Sequence, residues 1–344
     1  MPKIRLIVVD DSLFFRTFLS RNIGNDPSIE IVGSFGDPVV ASRNIQSLRP
    51  DVIALDMEMP RMRGDEFLRT VMPKYPNVKT VVISALSGNV FDAMQAGAID
   101  FVGKPGSAPG YDETEFIKDI IEKIKIASSA RMRTAARPAI ARPAAPVAGP
   151  KMLSASSKSI IAIGASTGGT EAIIEVVKKF PAHTPGVVIV QHMPPVFTRM
   201  YAERVDKICA MKASEAKNGD RIERGTLYIA PGGDQQMYVR QDAKGYYISL
   251  KPGSKVSGHC PSVDVLFDSV AQVAGRNAVG VLLTGMGADG AKGLLKMRRT
   301  GAHTIGQNEE TCVVYGMPME AYKLGGVSQQ IAITAIGDAV MRRF

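Results

Sequence analysis

The sequence predicts an α/β protein of two domains joined by a linker. In residues 1–121, and again in residues 159–344, short apolar runs alternate with segments whose apolar residues follow helical spacing. This alternation is typical of parallel sheets covered by helices. Residues 122–158 break the pattern because they are rich in alanine, proline and basic residues. We therefore expect a parallel-sheet domain, a linker and a larger doubly wound α/β domain with a mainly parallel sheet.

Composition restricts the class of protein. Hydrophobic residues make up 45% and charged residues 22% of the chain, which is ordinary for a globular protein in water. The apolar runs are shorter than a membrane span, and MPKIRLIVVDDS lacks a signal-peptide pattern. The three scattered cysteines, Cys209, Cys260 and Cys312, form neither a disulfide framework nor a metal-binding pattern. We expect a cytoplasmic protein with reduced thiols and no membrane insertion.

The net charge of +9 comes mainly from the linker. Residues 123–158 contain eight Lys or Arg and no acidic residue, so about +1 remains for the rest of the chain. The same stretch holds four prolines and ten alanines. A basic segment could contact nucleic acid or acidic lipid, but this composition favours a solvated tether. We therefore expect no nucleic-acid partner.

Four apolar runs of the first domain end in chemically distinctive residues. IRLIVVDD ends at Asp10 and Asp11, and DVIALD ends at Asp56. TVVISA carries Ser84 near its end, and DFVGKP carries Lys104. Functional groups of open parallel sheets lie outside the carboxyl ends of the strands, so these side chains should share one pocket.

Three carboxylates at short separation need a compensating cation. A divalent metal that prefers oxygen ligands, most simply Mg²⁺, meets this need and also holds an incoming phosphoryl group. One carboxylate could then attack phosphorus, with Lys104 and Ser84 binding the new oxygens. Any single aspartate could instead be a turn residue or a helix cap, but the ordered series favours a phosphoryl site.

The motifs VVDDS, ALDMEMP, VVISA and FVGKPG resemble those of the receiver domains of two-component response regulators. The resemblance covers residues 1 to about 121 and implies a flavodoxin-like sheet. It also implies that Asp56 is the phospho-acceptor. Asp10, Asp11, Asp56 and the backbone carbonyl of Glu58 are the implied Mg²⁺ ligands.

Three further positions follow from the same resemblance. Ser84 occupies the place of the family's Ser or Thr, and Lys104 occupies the place of its lysine. Phe101 lies where the family has a switch aromatic, although core packing alone would also account for it.

The segment SIIAIGASTGGTEAIIEVVKKF opens the second domain with a strand, a glycine-rich turn and a helix. GASTG fits G-x-S-x-G, the tight turn that exposes a serine hydroxyl, here Ser166. Such turns also bind phosphate through backbone N–H groups, or simply reverse the chain. The sequence has no P-loop lysine here and does not match G-x-G-x-x-G, which weakens the nucleotide interpretation. The loop alone leaves nucleophile, anion-binding loop and structural turn open.

A serine nucleophile needs a base and an orienting acid. Among the four histidines, His192 is the one that ends a clear apolar strand, GVVIVQHMPP. The run AVGVLLTGMGADGAKGLLKM places Asp289 before a helix, where an aspartate is commonly just an N-cap. Backbone N–H groups near Thr167 and Met286 could stabilise an oxyanion. The joint pattern predicts that Ser166, His192 and Asp289 meet at one edge of the sheet.

The motifs IGASTGGTEA, VIVQHMPP, HCPSVDVLF and LLTGMGADGAKG resemble the catalytic domain of the chemotaxis protein-glutamate methylesterases, the CheB family. The resemblance assigns the catalytic triad to Ser166, His192 and Asp289, with a backbone donor at Met286. It implies hydrolysis of glutamate methyl esters on methyl-accepting chemoreceptors, deamidation of receptor glutamines, and no cofactor for ester hydrolysis. It also implies a chemotaxis histidine kinase as phosphodonor, and phosphorylation of Asp56 is expected to expose the triad.

Cys260 departs from the family, in which arginine is commoner before the PSVD stretch, and this puts details of substrate binding in doubt. Cys260 beside His259 could also be a second nucleophile, but no acid or tight turn accompanies it.

Two other classes of protein compete with this interpretation. The net charge superficially favours a DNA-binding response regulator, but the basic residues lie in the linker and the second domain lacks a helix-turn-helix pattern. The other class is a non-catalytic signalling adaptor, against which the three candidate triad residues argue.

Overall fold

The computed structural model describes residues 2–85, 90–106, 112–131 and 159–344. These residues form two compact units, one on each side of residues 132–158. Most of the predicted linker therefore lies outside the described residues. Within the described ranges, no helix combines the length and the apolar character needed to cross a membrane.

The first unit alternates strands and helices. Its strands are β1 (Ile4–Val9), β2 (Ile29–Phe35), β3 (Val52–Asp56), β4 (Lys79–Ser84) and β5 (Asp100–Gly103). Its helices are α1 (Leu13–Ile23), α2 (Pro38–Leu48), α3 (Gly64–Val71), α4 (Val90–Gln95) and α5 (Glu113–Ser129). The strands form one parallel sheet in the order β2-β1-β3-β4-β5. This is the flavodoxin-like order, which confirms the prediction.

Short-range signals in the sequence define the starts of three helices of this unit. Ser12, Asp37 and Asp112 cap α1, α2 and α5, and their side-chain oxygens accept hydrogen bonds from first-turn N–H groups. Every residue of β3 is buried, as expected for a central strand covered on both faces. The loops that follow β1 and β3 therefore begin at buried strand ends.

Helix α5 extends eight residues beyond residue 121, the last residue of the first domain predicted from the sequence. Phe116, Ile120, Ile124 and Ala127 are buried along one face of this helix, at spacings of three or four residues. The predicted boundary is too early because the alanine-rich composition after residue 122 hides this short apolar repeat.

The second unit is built on a larger sheet. Its strands are β6 (Ile160–Ala165), β7 (Gly186–Gln191), β8 (Lys212–Glu215), β9 (Thr226–Ile229), β10 (Gln235–Asp242), β11 (Gly245–Pro252), β12 (Ala278–Leu282), β13 (His303–Gln307) and β14 (Gln329–Ile331). Its helices are α6 (Gly169–Val177), α7 (Phe197–Ile208), α8 (Val263–Ala274), α9 (Ala291–Arg299), α10 (Met317–Lys323) and α11 (Ile333–Met341).

Seven of these strands form a parallel sheet in the order β14-β13-β12-β6-β7-β9-β8. The strands that follow β6 in the chain are first added on one side of it (β7, β9, β8) and later on the other (β12, β13, β14). The direction in which the sheet grows therefore reverses between β6 and β12. A crevice for ligands is expected outside the carboxyl ends of the strands at such a reversal. The prediction of a doubly wound, mainly parallel domain is confirmed.

The remaining two strands, β10 and β11, pair as an antiparallel hairpin. The hairpin packs on α8, where the Val239 N–H donates to Ser269 Oγ at 2.9 Å. Met237, Val239 and Ile248 are fully buried in the core. The hairpin thereby fixes where the following loop, residues 253–262, approaches the edge of the parallel sheet.

Gly164 allows α8 to lie directly against β6. A Cβ atom at this position would be 2.2 Å from Val263 Cγ1, at the first turn of α8. Valine is branched at Cβ and cannot turn away freely. The close approach of helix and strand therefore requires glycine.

We expect Gly164→Ala to lower the free energy of unfolding of the second unit by roughly 1–3 kcal/mol, since overpacking must displace a buried helix. Hydrogen exchange of β6 in the full-length protein measures the change. Gly280→Ala in β12 is the matched control, because its Cβ would meet the flexible ends of Leu294 and Met297, at 2.9 Å each. Equal losses in the two variants would contradict this explanation.

Candidate active site and phosphorylation site

The first unit collects three carboxylates at the carboxyl edge of its sheet. Asp10 and Asp56 are 0% and 1% exposed, whereas Asp11 is exposed. One oxygen from each of the three lies within 4.8 Å of the others. Lys104 Nζ lies 3.2 Å from Asp10 Oδ2 and 3.0 Å from Asp56 Oδ2. The structure thus brings together four of the residues that the sequence singled out.

Burial dominates the electrostatics of this pocket. It raises the pKa of the Asp56 carboxyl to about 6; the Lys104 ammonium opposes the rise and the Asp10 carboxylate adds to it. Burial alone would lower the pKa of Lys104, but the two carboxylates outweigh it and the pKa is raised. The pocket therefore holds more negative charge than one lysine balances. A set of carboxylate oxygens with excess negative charge fits Mg²⁺.

The other predicted residues of this pocket are placed as follows. Glu58 lies two residues after Asp56, in the loop that follows β3. Ser84 ends β4 and is fully buried, with its Oγ 3.3 Å from the carbonyl oxygen of Ala85. Phe101 is 2% exposed, and its ring meets that of Phe91 edge to face with centroids 6.0 Å apart. Core packing accounts for this position of Phe101, and its switch role stays a prediction.

We expect Asp56→Asn to raise the free energy of unfolding of the first unit by roughly 1–3 kcal/mol near neutral pH without Mg²⁺. Since the folded-state pKa of about 6 exceeds the ordinary value of 3.8, the folded state binds more protons than the unfolded state between these values. Stability of the unmodified unit therefore falls as pH rises through this window. The advantage of the variant should vanish near pH 4.

Hydrogen exchange of β3 and β4 in the full-length protein measures this difference across the pH range. Glu66→Gln is the control, because Glu66 is an exposed acid on α3. A stability difference between wild type and Asp56→Asn that does not change from about pH 4 to 7 would contradict the assignment of the shifted carboxyl.

In the second unit, three candidate residues follow adjacent strands. Ser166 directly follows β6, His192 directly follows β7, and Asp289 lies in the turn between β12 and α9. The order β12-β6-β7 makes these strands neighbours, so the three residues occupy the same sheet edge. The Ser166 N–H donates to the Thr284 carbonyl at 3.0 Å, which ties the serine turn to the β12–α9 turn.

His192 and Asp289 form a buried pair. Nε2 of the imidazole lies 2.9 Å from Oδ2 of the carboxylate, and the two side chains are 8% and 1% exposed. Because Nε2 faces a carboxylate, it carries the proton of the neutral ring. Nδ1 is the remaining acceptor; it is buried and has no hydrogen-bond partner among the described residues. The hydrogen bond from Ser166 that general-base catalysis requires is thus not formed in this structure, as is common before substrate binds.

Asp289 accepts hydrogen bonds from the start of α8 and not from the first turn of α9, the helix that follows it in the chain. Its Oδ1 accepts hydrogen bonds from Ser262 Oγ at 2.7 Å and from the Asp264 N–H at 2.9 Å, and its Oδ2 accepts one from the Val263 N–H at 2.8 Å. These donors belong to the start of α8, whereas the residue at the start of α9 is Gly290. Asp289 is therefore not the simple N-cap of its own helix.

The pKa of Asp289 reflects these contacts. Burial alone would raise it, but hydrogen bonds and charge from His192, together with the donors of α8, lower it below the ordinary value. The carboxylate is therefore stable in its ionised form, as an orienting acid requires.

Sequence reasoning missed two residues that hold the site together. Gln191 Nε2 donates to the carbonyl oxygens of Ser166 at 2.9 Å and of His192 at 3.1 Å, and so links the Ser166 turn to the residue that follows β7. Ser262 holds Asp289 and also caps α8. A serine before an apolar helical run is a recognisable N-cap signal, but no sequence signal distinguishes Gln191.

The predicted oxyanion donors belong to these turns. Thr167 is buried beside the start of α6, and its carbonyl accepts a hydrogen bond from Thr284 Oγ1 at 3.0 Å. Met286 is 47% exposed in the β12–α9 turn. Their role as donors stays a prediction.

Cys260 is not activated as a nucleophile. Its Sγ lies 3.7 Å from the carbonyl oxygen of Gly253, and burial raises the pKa of the thiol. A reactive cysteine needs the opposite shift. The neighbouring His259 stacks on His192 instead, with ring centroids 3.7 Å apart.

The fold and the two sites define a class of protein, response regulators with an enzymatic output domain. Comparison with known proteins gives the family. Residues 161–340 match the model of the CheB methylesterase domain, and residues 6–110 match that of the response regulator receiver domain. The chain belongs to the CheB methylesterase family.

Similar proteins cover nearly the whole chain. The protein-glutamate methylesterase/protein-glutamine glutaminase 2 of Syntrophomonas wolfei is 52% identical over 99% of this chain and 98% of its own length. The protein-glutamate methylesterase/protein-glutamine glutaminase of Agrobacterium fabrum is 47% identical over 98% of this chain and 96% of its own length. The crystal structure of the Thermotoga maritima CheB methylesterase catalytic domain matches with a TM-score of 0.53 at 33% identity, covering 55% of this chain and 100% of that one.

Proposed function

We propose that this protein hydrolyses glutamate methyl esters on methyl-accepting chemoreceptors, releasing methanol, and deamidates receptor glutamines. The observation that carries the proposal is the buried His192–Asp289 pair beside the Ser166 turn. The names of the relatives supply the substrate class. Site geometry alone would support a serine hydrolase of a small ester or amide.

In the proposed reaction Ser166 Oγ attacks the ester carbonyl carbon while Nδ1 of His192 takes the hydroxyl proton. Asp289 keeps the proton on Nε2 and stabilises the imidazolium that forms. The backbone N–H groups of Thr167 and Met286 bind the oxyanion, and one such donor is typically worth roughly 3 kcal/mol. Nδ1–H then protonates the departing methoxide oxygen.

The acyl-enzyme is resolved by the reverse use of the same groups. His192 takes a proton from water, the resulting hydroxide attacks the acyl carbon, and the proton returns to Ser166 Oγ. Deamidation follows the same route with ammonia as the leaving group. Neither reaction requires a cofactor in this scheme.

In the first unit we propose Asp56 as the phospho-acceptor and a chemotaxis histidine kinase as the phosphodonor. Asp10, Asp11, Asp56 and the carbonyl of Glu58 would hold Mg²⁺, which neutralises charge on the entering phosphoryl group. Lys104 and Ser84 would bind the new phosphoryl oxygens, and Phe101 would respond to them. Phosphorylation then raises esterase activity by shifting the conformational population towards a state with an accessible triad. We also propose that the protein acts in the cytoplasm.

We expect Ser166→Ala to lower methanol release from methylated receptor membranes by at least about 1,000-fold, because the variant lacks the attacking oxygen. Cys260→Ala is the matched control and should release methanol at a rate close to that of wild type. Full activity of Ser166→Ala, or loss of activity in Cys260→Ala alone, would show that the nucleophile is a residue other than Ser166. No methanol from wild type on any receptor set would favour the adaptor class.

Acetyl phosphate with Mg²⁺ should increase methanol release by wild type. Asp56→Asn should keep the basal rate and show no increase, since it cannot form the acyl phosphate. Equal rates of the wild type with and without the phosphodonor would refute the proposed regulation.

A further inference from the structure

His259 lies against the face of the proposed general base. The imidazole rings of His192 and His259 stack with centroids 3.7 Å apart and planes 12° from parallel. His259 is half-buried and lies in the loop between β11 and α8. In the proposed reaction the ring of His259 has no direct chemical role.

The backbone holds His259 in place before any substrate binds. Val256 and His259 exchange two backbone hydrogen bonds, at 2.9 and 3.0 Å. The two residues between them, Ser257 and Gly258, have φ values of 52° and 88°, as in a tight hairpin turn of the primed type. Ser257 Oγ donates to Asp264 Oδ2 at 3.3 Å, which ties the turn to the first turn of α8.

The same loop also fixes the carboxylate partner of the base. Downstream of the turn it continues to Ser262, Val263 and Asp264, all of which donate to Asp289. Gln236 links the two parts, since its Nε2 donates to the His259 carbonyl at 3.4 Å and its Oε1 accepts from the Ser262 N–H at 2.7 Å. One segment thus contacts both members of the His192–Asp289 pair.

A second constraint on His192 is needed because its ring has one hydrogen-bonded edge. Nε2 is bound to Asp289, while Nδ1 has no partner among the described residues. The ring is anchored at Cγ by its own side chain and at Nε2 by Asp289, and it can still rotate about the axis through these two atoms. Such a rotation moves Nδ1 out of the plane in which it can accept a proton from Ser166. A flat group packed on the ring face removes this freedom and sets the plane in which the Nδ1 lone pair points.

We propose that His259 is a positioning residue that keeps the His192 ring in the orientation required for proton transfer from Ser166. This inference rests on the proposed hydrolase function. The role requires a flat ring and not an ionisable group, so phenylalanine can replace His259 and alanine cannot.

A metal site formed by the two histidines explains the stacking of His192 and His259 less well than a positioning role does. The nitrogen lone pairs of an imidazole lie in the ring plane, and in two nearly parallel stacked rings they do not converge on one ion. In addition, one nitrogen of His192 is already bound to Asp289.

The test compares His259→Ala, His259→Phe and His183→Ala in the full-length protein. His183→Ala is the control, because His183 lies in an exposed loop. Methanol release from methylated receptor membranes gives kcat and KM. Labelling of Ser166 by a small fluorophosphonate gives the reactivity of the nucleophile without receptor binding.

We expect His259→Ala to lower kcat by roughly 10- to 100-fold, the order of loss caused by misplacing a catalytic group by about 1 Å. KM should stay within about twofold, since no substrate contact is lost. Fluorophosphonate labelling should slow by the same factor as kcat. His259→Phe should restore both rates to near the wild-type values, and His183→Ala should change neither.

Three results would overturn the inference. They are a wild-type kcat in His259→Ala, a His259→Phe variant as slow as His259→Ala, and slowed methanol release with unchanged labelling, which would indicate receptor docking. A further outcome is that the labelling rates of wild type and the variants follow the expected order but no methanol is released. In that case the proposed substrate is wrong and the positioning role stands. If wild type releases methanol and His259→Ala equals it, only the positioning role fails.

Discussion

The second unit depends on the burial of one ionised carboxylate, that of Asp289. The Asp289 side chain is 1% exposed, and a carboxylate buried to this extent is stable in its ionised form only when its oxygens accept hydrogen bonds. Here the start of α8 supplies three donors and His192 supplies the fourth. The helix must therefore lie against the carboxyl ends of β6 and β12, which in turn requires the glycine at position 164. Site geometry and packing are thus parts of one arrangement.

The first unit solves the same problem in the opposite way. Asp289 is satisfied by fixed donors and its pKa is lowered, whereas Asp56 is buried beside another carboxylate and its pKa is raised. The charge of Lys104 does not fully compensate the two acids. A cation bound among these carboxylates would offset the uncompensated negative charge. A carboxylate that only orients a base has no such need.

The sequence by itself determined which chemically distinctive residues lie at the carboxyl edges of the two sheets. The last residue of a parallel strand and the residue after it lie at the carboxyl edge whatever the order of the strands. The ends of the apolar runs therefore located Asp10, Asp56, Ser166 and His192. It also determined the class of both sheets, because fully apolar runs alternating with amphipathic segments are compatible with little else. These properties follow from local pattern.

The tertiary structure alone decided what each of these residues faces. Periodicity reports whether a position is buried, but not which element covers it, and so it could not show that α8 surrounds Asp289 or that His259 covers His192. The end of α5 also escaped the sequence, because alanines are compatible with both helix and linker until a core packs on one face. Fold and candidate residues are encoded locally, whereas the geometry of the His192–Asp289 pair arises from contacts between distant segments.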